Sequence, residues 1–148
     1  MGTHISLQNI PDLFSRIARF QATGRLLLEQ VLEYIQRNLV EHVKVTTDKQ
    51  PLTMGVHGAT IIARVEVRYI HPEIKPRIAS YLIDKEGKEK SIGNVYEFSQ
   101  DCTIQDIKGP FAEFWEQQQQ HPKYKFAVVF MDSLLNDLLL NQNFTFAS

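Results

Sequence analysis

Nine residues near the middle of the chain, Ile61 to Tyr69 (I-I-A-R-V-E-V-R-Y), restrict the fold more than any others. Ile61, Ala63, Val65, Val67 and Tyr69 alternate there with Ile62, Arg64, Glu66 and Arg68. A period of two puts the first set on one side of a β-strand and the second on the other, so one face is dry and one wet. Such a strand needs hydrogen-bonded neighbours at its edges and an apolar layer across its dry face.

The sequence before it offers the layer. Asn9, Ile10 and Pro11 predict a helix start, with Asn as N-cap and Pro in the first turn, where its missing N–H has no partner to lose. Ile10, Leu13, Ile17 and Phe20 follow at helical spacing. Thr23-Gly24 marks a helix end or weak point, since a mid-helix Gly costs about 1 kcal/mol against Ala. From Arg25 to Val43 the pattern resumes, with Leu28, Val31, Leu32, Ile35, Leu39 and Val43 on one face. Glu33 and Arg37 on the other side are ordered for an i,i+4 pair. Leu26 and Val40 lie off the apolar stripe.

The sequence around and after the strand offers the neighbours. Thr46 to Pro51 reads as a loop and Leu52 to Val56 as a short strand. Pro72 and Pro76 predict the end of the central strand, because proline gives no ladder donor. Ile78 to Asp84 and Lys90 to Phe98 flank Lys85-Glu86-Gly87-Lys88 as a hairpin. Thr103 caps a short turn, and Gly109-Pro110 restarts a helix carrying Phe111, Phe114 and Trp115. Tyr124 to Met131 predicts a strand buried on both faces, and Ser133 then caps a short helix over 134–140. The sum is one α+β domain over residues 1–148. It has an antiparallel sheet of about four to five strands, a long N-terminal helical region, and a second helix packed mainly on one face. From His71-Pro72 to Pro76 the chain resembles, over six residues, the proline turn of ubiquitin-conjugating-like and RWD domains. His71 stands in place of that motif's usual tyrosine, and six residues assign no family.

Composition removes several function classes. With 148 residues, 43% hydrophobic and 22% charged, the chain has the makings of a folded core rather than of disorder. Sixteen Lys and Arg against 17 Asp and Glu leave a net charge of −1 and no basic block, so nucleic-acid binding gains no support. Cys102 is the only cysteine, which excludes an internal disulfide. Apolar runs fall well short of the roughly 20 residues of a membrane span, and the first residues do not read as a signal peptide. The expectation is a protein of the reducing cytoplasm, not attached to a membrane.

The candidate chemistries are sparse. His4, His42, His57, His71 and His121 show no zinc-ligand spacing; His57 and His71 bracket the central strand and are the pair a fold would most simply gather. Cys102 precedes a helix start, but Asp101 and Asp106 beside it work against a thiolate. Glu86-Gly87-Lys88 after Asp84 matches an acidic-x-Lys nuclease element only at a solvated turn. Arg64, Arg68, Arg77, Lys88 and Lys90 interleave with Glu66, Glu89 and Glu97, which cross-strand ion pairs explain without a ligand. No phosphate-binding glycine loop and no G-x-S-x-G elbow occurs. The expectation is a small non-catalytic binding or adaptor protein without cofactor or metal, acting through protein–protein contacts and self-associating as a homodimer. Leu26, Val40, Ile62 and Ile74 are its spare apolar residues. The alternative is a small enzyme or ligand-binding protein with a pocket between sheet and helix, using His71 or Cys102.

Overall fold

The computed structural model describes residues 4–47, 51–99 and 125–142. Helix α1 (Ile10–Asn38) leads into strands β1 (Val43–Thr47), β2 (Leu52–Val56), β3 (Ala59–Ile70), β4 (Glu73–Ile83), β5 (Glu89–Ser91) and β6 (Tyr96–Glu97), and helix α2 (Lys125–Asn141) follows. The strands form one antiparallel sheet in the order β1-β2-β3-β4-β5, with the two-residue β6 also pairing to β4. The class is α+β, as the sequence predicts. Among the described residues no helix is long and apolar enough to cross a membrane.

The alternation of the central strand sets the layers. Ile61, Ala63 and Val65 pair with Leu82, Ser80 and Ile78 of β4 on the face that carries the helices. Ile61, Ala63 and Ile78 are fully buried there, with Leu27, Leu28, Val31 and Ile35 of α1 in the same apolar cluster. Arg64 and Glu66 pair with Ala79 and Arg77 on the opposite face. At its start α1 has Asn9 in the N-cap position, but the Asn9 side chain caps nothing. The Ser6 carbonyl instead accepts the Asn9 and Ile10 N–H groups at 3.0 and 3.2 Å.

Four expectations are corrected. The helix does not break at Thr23-Gly24: α1 continues through both residues, which are buried. It ends at Asn38 instead of reaching Val43, because the Leu39 carbonyl accepts N–H from His42 and Val43 and turns the chain into β1. Of the two prolines expected to end the central strand, Pro72 does so, since β3 stops at Ile70, but Pro76 does not. A turn with a cis His71–Pro72 bond joins β3 to β4, and Pro76 lies inside β4 opposite Val67. Among the described residues, only the short β5 and β6 pair beyond β4, so few ladder donors are needed on that side.

The run from Tyr124 to Met131 is not a strand. From Lys125 it is the first half of α2. Phe126, Phe130, Leu134 and Leu138 recur every fourth residue and are all buried, forming a helical ridge against the core. An unbroken apolar run of this length suits a buried strand and a buried helix alike, and the ridge continuing past Ser133 decides for the helix. The expected turn at Thr103, the helix with Phe111, Phe114 and Trp115, and Cys102 and His121 lie outside the described residues.

Candidate functional site

Where α1 begins, the β3–β4 turn comes beside it. Together they enclose an open cleft of about 450 Å³, lined by residues that include Ser6, Asp12, Arg16, Tyr69 and His71. Two periodicities deliver these side chains. Tyr69 lies on the helix-facing side of β3, as the strand alternation requires, and Arg16 stands one helical turn after Asp12. The Tyr69 hydroxyl and His71 Nδ1 are 2.5 Å apart, with the rings edge-on at 67°. His4, Asn9, Leu13 and Pro72 complete much of the lining. The cleft therefore offers donors, acceptors and charges of both signs to a small polar molecule.

His71 is the residue that the sequence singled out for a pocket between sheet and helix, and it lines this cleft. Tyr69, Asp12 and Arg16 were not singled out. Tyr69 reads as core from its alternation, and the two charged residues read as solvated helix. Only the closeness of the β3–β4 turn to the start of α1 brings them to one cleft.

Leu26, Val40, Ile62 and Ile74 are not brought together. Leu26 is 53% exposed on α1, and Val40 lies exposed in the turn between α1 and β1. Ile62 pairs with Tyr81 on the face away from the helices, whereas Ile74 pairs with Tyr69 on the helix side. Both isoleucines are half-buried.

On the face away from the helices the charges form a network. Glu66 accepts from Arg77 Nε at 2.8 Å, from Arg64 Nε at 3.2 Å and from the Tyr81 hydroxyl at 2.5 Å. Arg64 also bonds Glu89 and lies 4.4 Å from the centre of the Tyr81 ring. Burial alone raises the Glu66 pKa, but the bonds from Tyr81, Arg77 and Arg64 outweigh it and hold the carboxyl below its ordinary range. The hydrogen bond to Glu89 is the main reason that Arg64 is held above its own. These groups satisfy one another, as the interleaved sequence predicts. Asp84 likewise closes the expected turn, its carboxylate accepting N–H from Glu86 and Lys88 at 2.9 and 2.8 Å.

His57 and His71 stand at opposite ends of β3 and do not meet. His57 instead lies beside His42, with Nε2 of His57 3.3 Å from Nδ1 of His42. A smaller cleft of about 320 Å³ lies between the β5–β6 connection and α2. Its polar lining is already engaged: Asp137 accepts from the Gly93 N–H and Ser133 from the Asn94 N–H, both at 2.8 Å. Comparison with known proteins adds no assignment, because no family model, curated protein or solved structure matches the chain.

Proposed function

We propose that this chain is a non-catalytic binding protein acting through protein–protein contacts, and that it forms a homodimer through the first half of α1. The observation that carries this is a bare, uncharged helix face. Pro11, Phe14, Ser15, Ala18 and Ala22 share one side of α1 by their three- and four-residue spacing, and all are exposed. Phe14 is 64% exposed. The charged residues of the same turns, Asp12, Arg16 and Arg19, project to another side. A helix face left to water over three turns ordinarily carries charge.

A second copy is the occupant that this face fits. In a two-fold antiparallel pairing, Phe14 of one copy comes level with Ala18 and Ala22 of the other, a large side chain against small ones. Each ring so buried contributes about 1.5–3 kcal/mol. Light scattering coupled to size exclusion at micromolar concentration tests it. Wild type is expected at twice the chain mass, and Phe14→Lys at the chain mass with an unchanged circular dichroism spectrum. A wild-type monomer that persists on concentration removes the dimer.

The cleft beside His71 favours a second reading, a protein that binds a small polar molecule between sheet and helix. Cys102, the other residue of that reading, lies outside the described residues. Titration of small anions and zwitterions while following the Tyr69 and His71 ring signals by NMR tests it, and unshifted signals across the set would remove it.

A further inference from the structure

His42 and His57 are placed side by side by the register of the β1–β2 ladder. Val43 pairs with Val56, and both are buried. One step outward, the same register sets His42 opposite His57, and both side chains are exposed. Each is held from behind. The His42 N–H donates to the Leu39 carbonyl at 3.0 Å. His57 and Gly58 form the two-residue turn into β3 with φ of 45° and 95°. Positive φ at both positions is the pattern of a type I′ turn, in which the first position favours Asn or Asp, or Gly.

Nδ1 of His42 and Nε2 of His57 lie 3.3 Å apart, the ring centres 5.4 Å apart and the ring planes at 40°. That separation is long for a good hydrogen bond from N–H, where about 2.9–3.0 Å is usual. It matches another arrangement. Two imidazole nitrogens at about 2.0–2.1 Å from one tetrahedral zinc ion are about 3.3–3.4 Å apart. Adjacent positions of a square-planar centre bring such nitrogens closer, to about 2.8 Å, so the spacing favours a tetrahedral ion over copper(II).

We infer that His42 and His57 form a surface site for a divalent transition-metal cation of the zinc type, held through His42 Nδ1 and His57 Nε2. Among the described residues no group of three or more His, Cys, Asp or Glu comes together, so water fills the other positions and the site is weaker than a closed structural zinc site. Its strength comes from the register, which fixes the two ligands before the ion arrives. Because the ion bridges the entry of β1 and the β2–β3 turn, it binds the folded chain in preference to the unfolded one and raises its melting temperature.

Calorimetric titration of the tag-free protein with zinc chloride, up to about 1 mM free ion, tests this. Wild type is expected to bind with saturation, and His42→Gln and His57→Asn each to weaken that binding by about tenfold or more, since either change leaves a single imidazole. Asn tolerates positive φ, so His57→Asn keeps the turn. His71→Gln is expected to bind as wild type does. Absence of saturable binding in wild type, or undiminished binding in His57→Asn or His42→Gln, overturns the site.

Discussion

Gly24 of α1 lies so close to Val65 of β3 that a Cβ on the glycine would stand 2.5 and 2.6 Å from the two valine methyls. The Phe98 ring would be 3.0 Å away on the same side. The glycine is therefore the point at which the helix settles onto the central strand. Gly24→Ala should gain about 1 kcal/mol of helix propensity. The overlap costs about 1–3 kcal/mol or more, since both valine methyls stand on a stiff branched Cβ. A net loss of up to about 2 kcal/mol is expected in urea denaturation, partly restored by Val65→Ala in the same chain. A stabilised Gly24→Ala protein would mean that α1 rides higher than the contact indicates.

Ile35 and Leu32 share the predicted stripe of α1 but not its burial. Ile35 is 1% exposed within the core, whereas Leu32 is only partly buried at its margin. Ile35→Ala should cost about 2–5 kcal/mol. Leu32→Ala should cost clearly less, because solvent already reaches part of the side chain and can fill the space left. Equal losses in equilibrium denaturation would show that both face the core.

Legibility in the sequence followed how local each cause was. The alternation from Ile61 to Tyr69 was visible because wet and dry faces differ residue by residue, and the β4–β5 turn because Asp84 bonds its own neighbours. Gly24 misled because helix propensity is local, while the reason for the glycine is Val65, 41 positions further on. Phe126 to Met131 misled because burial removes the polar residues that would have displayed a period. The His71 cleft was half visible. The turn announced itself through its prolines, but Asp12 and Arg16 join it only through the packing of α1 on β3. The pairing of His42 with His57 follows from the β1–β2 register, which a helix running on to Val43 would exclude.

Acid should loosen the network on the face away from the helices. Glu66 and Asp137 both have carboxyls held below their ordinary range. For Glu66 the hydrogen bonds outweigh burial, and for Asp137 the Gly93 N–H is the chief cause. A depressed carboxyl binds fewer protons folded than unfolded. Its contribution is complete above the unfolded value, about 4.3 for Glu and 3.9 for Asp, and is lost as pH falls through the folded value. Glu66→Gln should therefore be less stable than wild type at pH 7 by about 1–2 kcal/mol, at the low end for a charge-assisted network because the site is partly exposed. The gap should narrow towards pH 3. A gap that stays constant from pH 7 to pH 3 would place the effect in packing rather than charge.

Ser80 should be better replaced. It stands on the helix side of β4 opposite Ala63 and is 2% exposed. Its backbone is engaged, since the Ser80 carbonyl accepts the Ile92 N–H at 3.0 Å. Its hydroxyl has no hydrogen-bond partner among the described residues. Burying a hydroxyl without a partner costs about 1–3 kcal/mol, and removing it costs only the contacts of one small atom. Ser80→Ala should thus raise stability by roughly 1 kcal/mol, an upward shift of the urea midpoint with the slope unchanged. Ser80→Val should do worse than Ser80→Ala, because two added methyls must find room beside the fully buried Ala63. A Ser80→Ala protein less stable than wild type would show that the hydroxyl is bonded in solution after all, and that the core around Ala63 is wetter than an apolar cluster allows.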